Sequence, residues 1–84
     1  MDNEEKVRQI IHVLDQLADD TSVPRNIRRG AKESKDKLLD ASEALDVRTS
    51  SATTILDELA NDPNIPLHGR TLIWNIISQL ETIS

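Results

Sequence analysis

Apolar residues recur along the chain at intervals of three and four, and the runs are separated by short polar segments. Val7, Ile10, Ile11, Leu14, Leu17 and Ala18 form the first stripe, which predicts an amphipathic helix. It starts near Asp2, which with Glu5 makes a D-x-x-E pair of the capping-box kind, and it stops at Asp19-Asp20-Thr21-Ser22. Pro24 fits the first turn of a second helix, where its missing N–H costs nothing. That helix has a narrow stripe of Ile27, Ala31, Ser34 and Leu38. A third helix is predicted from about Ser42, with Glu43 and Asp46 in its first turn suiting the positive helix end. Leu45, Ala52, Ile55, Leu56 and Leu59 are its buried face, and Asn61-Asp62-Pro63-Asn64 ends it. Pro66 opens a fourth helix with Leu72, Ile73, Ile76, Ile77, Leu80 and Ile83.

The two halves match each other. Residues 13–38 align with 55–80 at an offset of 42, with eight of 26 positions identical. The identities include Leu14/Leu56, Asp15/Asp57, Asp20/Asp62, Pro24/Pro66 and Arg28/Arg70. A fixed-period match of this kind marks a repeated supersecondary unit, here a helical hairpin. The expected fold is therefore all-α: one domain over residues 1–84, built from two tandem hairpins at about 3–40 and 43–83. Short connections favour antiparallel neighbours and an up-and-down four-helix bundle. The alternative is a stack of two solenoid repeats, since the D-x-x-V-P turn followed by arginine resembles a HEAT repeat. Solenoids need three or more repeats to bury their faces, so two copies favour closure on each other.

Composition sharpens this. With 37% hydrophobic residues, two glycines and three prolines, the chain has the makings of a core. Trp74 is its one aromatic residue, so that core is aliphatic. The absence of cysteine removes disulfides, thiolate metal sites and cysteine nucleophiles, and fits a reducing interior. No apolar run approaches the roughly 18 residues of a membrane span, and the acidic start MDNEEKVRQ is unlike a signal peptide. The expected location is the cytoplasm, away from membranes.

Charge separates the copies. The net charge is −5, which argues against a dedicated nucleic-acid binder. Residues 1–20 carry six acids and two bases (−4), whereas 24–45 carry six bases and four acids (+2). Arg25, Arg28, Arg29, Lys32 and Lys35 fall within an arc of roughly 120° on helix two, a candidate polyanion-binding face. The competing account is a solvated face laced with Glu33 and Asp36, or one that meets acidic helix one. In the second copy the same stretch is apolar. Leu72, Ile73, Trp74, Ile76 and Ile77 widen the arc to more than half of helix four, which then lies centrally in the fold or also faces a partner, a second copy among the candidates. Gly69 either admits a close backbone or is a tolerated cost of roughly 1 kcal/mol.

Signals for catalysis are poor. His12 and His68 belong to no H-x-x-x-H or E-x-x-H pattern, and no glycine-rich phosphate loop or G-x-S-x-G elbow occurs. His12 reads as solvated, and Asp15 and Glu58 as outward-facing carboxylates. No metal or cofactor is expected. The repeated turn D-x-x-[V/I]-P-x-x-x-R, Asp20…Arg28 and Asp62…Arg70, reads as structural: aspartates satisfying free amides, arginines bracing the turn.

ILDELANDPNIPLHGRTLIWNIISQLE (55–81) and LADDTSVPRNIRRGAKE (17–33) resemble the short archaeal proteins of the uncharacterised protein family UPF0147. The resemblance implies an archaeal, intracellular, all-helical protein with no assigned activity, so no site residue is carried over. Gly69 and the polar Thr49-Ser50-Ser51 depart from the alanine-rich helix expected there and suggest locally weaker helix. From the residues themselves, the expected function is a non-enzymatic protein–protein interaction or structural module. RNA association through helix two is the alternative.

Overall fold

The computed structural model describes residues 2–83 and contains four helices: α1 (Asn3–Ala18), α2 (Arg25–Leu38), α3 (Leu45–Ala60) and α4 (Leu67–Leu80). No strand occurs among the described residues. The Asp2 carboxylate caps α1 by accepting the Glu5 amide at 2.8 Å. The predicted stripes point inward. Ile10, Leu14, Ile27, Ala31, Leu38, Ala52, Leu56 and Ile73 have no exposed surface. Ser34, the polar residue of the α2 stripe, is equally buried and donates its hydroxyl to Gly30 O at 2.9 Å, so no polar atom is stranded there.

The helices alternate in direction. Asn26 at the start of α2 meets Asp62 beyond the end of α3, and Gly30 meets Leu59 one turn further along, so α2 and α3 run antiparallel. Lys6 Nζ donates to Thr82 O at 3.1 Å, while Asp20 meets His68 at the other end, so α1 and α4 are antiparallel too. Each helix packs on its neighbours in sequence, and α1 packs on α4, whereas neither diagonal pair comes together. The molecule measures 32 × 23 × 20 Å, two helix diameters of roughly 10 Å in each short direction. This is the closed four-helix bundle, and the α1–α4 contact is what a solenoid stack would lack.

Two details differ from expectation, and of the two readings of Gly69 one drops out. Helix α3 begins at Leu45, because the Asp40 carboxylate takes the Ser42 amide at 3.0 Å and Glu43 N bonds Asp40 O at 3.2 Å. Ser42 and Glu43 thus belong to a turn. Helix α3 is also unbroken through Thr49-Ser50-Ser51, where Thr49 and Thr54 hydroxyls fold back onto Asp46 O and Ser50 O. Gly69 faces the side chains of Ile65 and Val23 and no foreign backbone; a Cβ there would lie 3.3 Å from Ile65 Cγ1. The tightest approach is at Gly30, where a Cβ would lie 2.5 Å from Leu59 Cδ2.

Candidate functional site

The connections share one design. In each, an aspartate accepts the amide two residues on: Asp20 from Ser22 (2.9 Å), Asp40 from Ser42 (3.0 Å) and Asp62 from Asn64 (2.7 Å). In each, the amide three residues on closes onto the aspartate's carbonyl at 3.2 Å. Eight residues after each aspartate stands an arginine: Arg28, Arg48 and Arg70. Arg48 Nη1 donates to Leu38 O and Arg70 Nε to Ala60 O, both at 3.0 Å, bracing the end of the preceding helix. The predicted bracing therefore holds for Arg70, extends to Arg48, and fails for Arg28. The Nε of Arg28 is buried with no hydrogen-bond partner. Arg48 also leaves its Nε unpaired but keeps the carbonyl through Nη1.

The first and third turns lie side by side and are tied reciprocally. Asn26 Nδ2 donates to Asp62 Oδ2 at 2.7 Å, and at the positions offset by 42, His68 Nε2 lies 3.3 Å from Asp20 Oδ2. Ser22 Oγ donates to Asp20 Oδ1 at 2.6 Å and lies 3.2 Å from the same Nε2. These hydrogen bonds, that of the Ser22 hydroxyl foremost, hold the Asp20 carboxyl below its ordinary range. A serine, a histidine and an aspartate therefore converge, but not as a catalytic relay. A relay joins nucleophile and acid to opposite ring nitrogens, whereas here one nitrogen faces both and the hydroxyl proton goes to the carboxylate. The cluster is a structural tie between hairpins that sequence spacing alone does not disclose.

Two opposed faces remain as candidate sites. Offset by 42, Arg25, Arg28, Arg29, Lys32 and Lys35 of α2 correspond to Leu67, Arg70, Thr71, Trp74 and Ile77 of α4. One outward face has been made cationic and its counterpart mostly apolar. Because α2 and α4 are diagonal, the two lie on opposite flanks of the bundle. The cationic residues line a cleft of about 480 Å³ against Asp15, Ala18 and Asp19 of the α1 end, with Asp36 beside them. Five cations and three carboxylates give it a local excess of +2. Asp15, expected to be solvated, is half-buried and pairs with Lys35 Nζ at 2.8 Å. That hydrogen bond is the main reason the Lys35 ammonium is held above its ordinary range. Arg25, Arg28, Arg29 and Lys32 enter no ion pair or side-chain hydrogen bond among the described residues.

On α4 the predicted contact set divides. Ile73 and Ile76 are sealed in the core and offer no surface, because α1 and α3 close over that side of the helix. Leu72 and Ile77 are half-buried on its two flanks. Trp74 is 55% exposed and Leu67, seven residues earlier on the same face, 74% exposed. Leu67 belongs to the apolar stretch of the second copy but not to the predicted contact set, although its i, i+7 spacing to Trp74 puts the two on one face. Around them stand Thr71, Asn75 and Ser78; the charges on this side are Arg70, which is occupied with its carbonyls, and Glu81 at the helix end. No group of His, Cys, Asp and Glu suited to a metal ion occurs among the described residues. No helix is long and apolar enough to cross a membrane.

Known proteins resemble this chain along nearly all of its length. The model of a family described as uncharacterised protein family UPF0147 matches residues 1–83. A UPF0147 protein of Methanosarcina acetivorans is 55% identical over 98% of this chain and 84% of its own length. One of Methanocaldococcus jannaschii is 48% identical over 95% of this chain and 86% of its own. The crystal structure of a protein of uncharacterised family UPF0147 from Thermoplasma acidophilum superposes with a TM-score of 0.93. It is 44% identical and covers 98% of this chain and 96% of that one.

Proposed function

The chain belongs to the uncharacterised protein family UPF0147, which brings no activity to carry over, and from the α4 face we propose that it is a non-enzymatic docking module that pairs with a second copy of itself. The observation that carries this reading is the exposure of Trp74 and Leu67 on one sparsely charged helix face. Leaving a tryptophan in water forgoes one of the largest burial gains a side chain offers. Charge selects the partner. Two copies at −5 each repel least where they meet on a face that carries little charge, and the α4 face is such a face. The pattern is also self-complementary: antiparallel crossing near Thr71 seats Leu67 of one copy on Trp74 of the other, twice over. A single helix face is at the small end of specific interfaces, so the dimer dissociates on dilution. The geometry of the Ser22–His68–Asp20 cluster supports the non-enzymatic part of the reading, and archaeal relatives together with the lack of cysteine support a cytoplasmic setting.

Light scattering over a concentration series, read with Trp74 fluorescence, tests this. The expected result is a mass rising from 9.4 kDa toward twice that, with Trp74 emission shifting to the blue as it rises. Trp74→Ala is expected to stay monomeric with unchanged helix content. A wild-type monomer at all concentrations with constant emission, or a dimer untouched by Trp74→Ala and Leu67→Ser, overturns the proposal.

A further inference from the structure

We propose that the cleft between α1 and α2 binds a chain of phosphates, and that Arg28 has been released from its turn to serve it. The molecule contains its own control. Three turns share the Asp-amide geometry, and two of their three arginines reach back ten residues to a helix-terminal carbonyl. A purely structural role predicts the same of Arg28, with Ala18 O as its acceptor. Instead Arg28 makes no hydrogen bond to that carbonyl, enters no ion pair among the described residues, and lines the cleft, which leaves its guanidinium uncommitted there; its buried, unpaired Nε it shares with Arg48.

The surroundings specify the ligand. Arg25, Arg28 with Arg29, Lys32 and Lys35 stand about one per helical turn along roughly 15 Å of α2. A row of evenly spaced cations matches a polymer of evenly spaced anions. Three of the five are arginines, whose planar fork matches phosphate oxygens in pairs. Lys35 is already held by Asp15, so the other four are the ones available. No aromatic side chain lines the cleft, so the contact is with the backbone of the polymer and carries no base preference. Asp19 and Asp36 in the walls and the overall charge of −5 limit the affinity and make it steeply dependent on salt. The site is diagonal to the α4 face, so it stands or falls independently of self-association.

The experiment is fluorescence anisotropy with a labelled RNA duplex, labelled inorganic polyphosphate and labelled polyglutamate, each titrated at about 50 mM salt and above. Both phosphate chains are expected to bind and polyglutamate to bind at least tenfold more weakly. The double variant Arg28→Ala/Arg29→Ala is expected to weaken phosphate binding about tenfold and to flatten the salt dependence by about two ions. Lys37→Ala removes the same kind of charge outside the cleft and is expected to change binding less than twofold, as is Trp74→Ala. Binding of RNA alone would assign the phosphates to nucleic acid; binding of both supports any phosphate chain. Absence of binding to either, equal binding of polyglutamate, or equal losses in Lys37→Ala and the double variant with helix content intact would each overturn the proposal.

Discussion

Gly30 of α2 faces Leu59 of α3, which occupies the space a side chain there would need. A methyl group there would lie within 2.9 Å of three Leu59 atoms, including the branch carbon Cγ, so the whole isobutyl group has to move. Overpacking of this kind costs about 1–3 kcal/mol, against about 1 kcal/mol gained by replacing glycine with alanine in a helix. Gly30→Ala is therefore expected to lower the thermal midpoint, and Gly30→Ala/Leu59→Ala to lose less than the sum of the two single changes. Calorimetry of the three variants checks both statements; a stabilised Gly30→Ala would refute them. Nothing in the sequence set Gly30 apart from Gly69. Periodicity tells which side of a helix is buried, but not which neighbour lies closest, and that distance decides which glycine is irreplaceable. Trp74 makes the same point. Its place on a broad apolar arc was visible, while its exposure depended on α1 and α3 covering only the side of Ile73 and Ile76.

At the scale of elements, the connections set where helices stop and start. The Asp40 carboxyl is held below its ordinary value, first by the Ser42 hydroxyl and then by the Ser42 amide. A carboxyl depressed in the folded state contributes stability that is present above its unfolded pKa and is lost as pH falls through the folded value. Ser42→Ala is thus expected to destabilise the protein at neutral pH, and the gap from wild type to close as pH drops below about 4. Thermal unfolding across that range measures it, and a gap independent of pH would contradict the assignment. Asp40 is preferable to Asp20 for this purpose, since the His68 ring also contacts Asp20 and would complicate the comparison. The middle turn was hidden in the sequence because Glu43-Ala44 stands where the others have Val23-Pro24 and Ile65-Pro66. Val23 and Ile65 are buried plugs between hairpins, and the middle turn, at the other end of the bundle, has no such gap to fill. The eight-residue spacing from Asp40 to Arg48 was the signal that remained.

For the molecule as a whole, four stripes of adequate length and short links were enough to anticipate a closed bundle, because burying four such stripes leaves few arrangements. The candidate sites were legible as chemistry and not as availability. The basic arc was plain in the sequence, but only the structure separates Lys35, bound to Asp15, from four unpaired cations. Closure of the ring has one more consequence. Lys6 and Thr82 are in contact, and the middle turn lies at that same end, so the order of the helices along the chain is not what holds them in place. Linking the C-terminus to the N-terminus through a short flexible spacer and reopening the chain within residues 41–43 gives a circular permutant with every helix and both tied turns preserved. It is expected to fold cooperatively into the same bundle, with its new ends at the former middle turn. A permutant with full helicity and a single unfolding transition would show that the ring of contacts, rather than the direction of travel around it, specifies this fold.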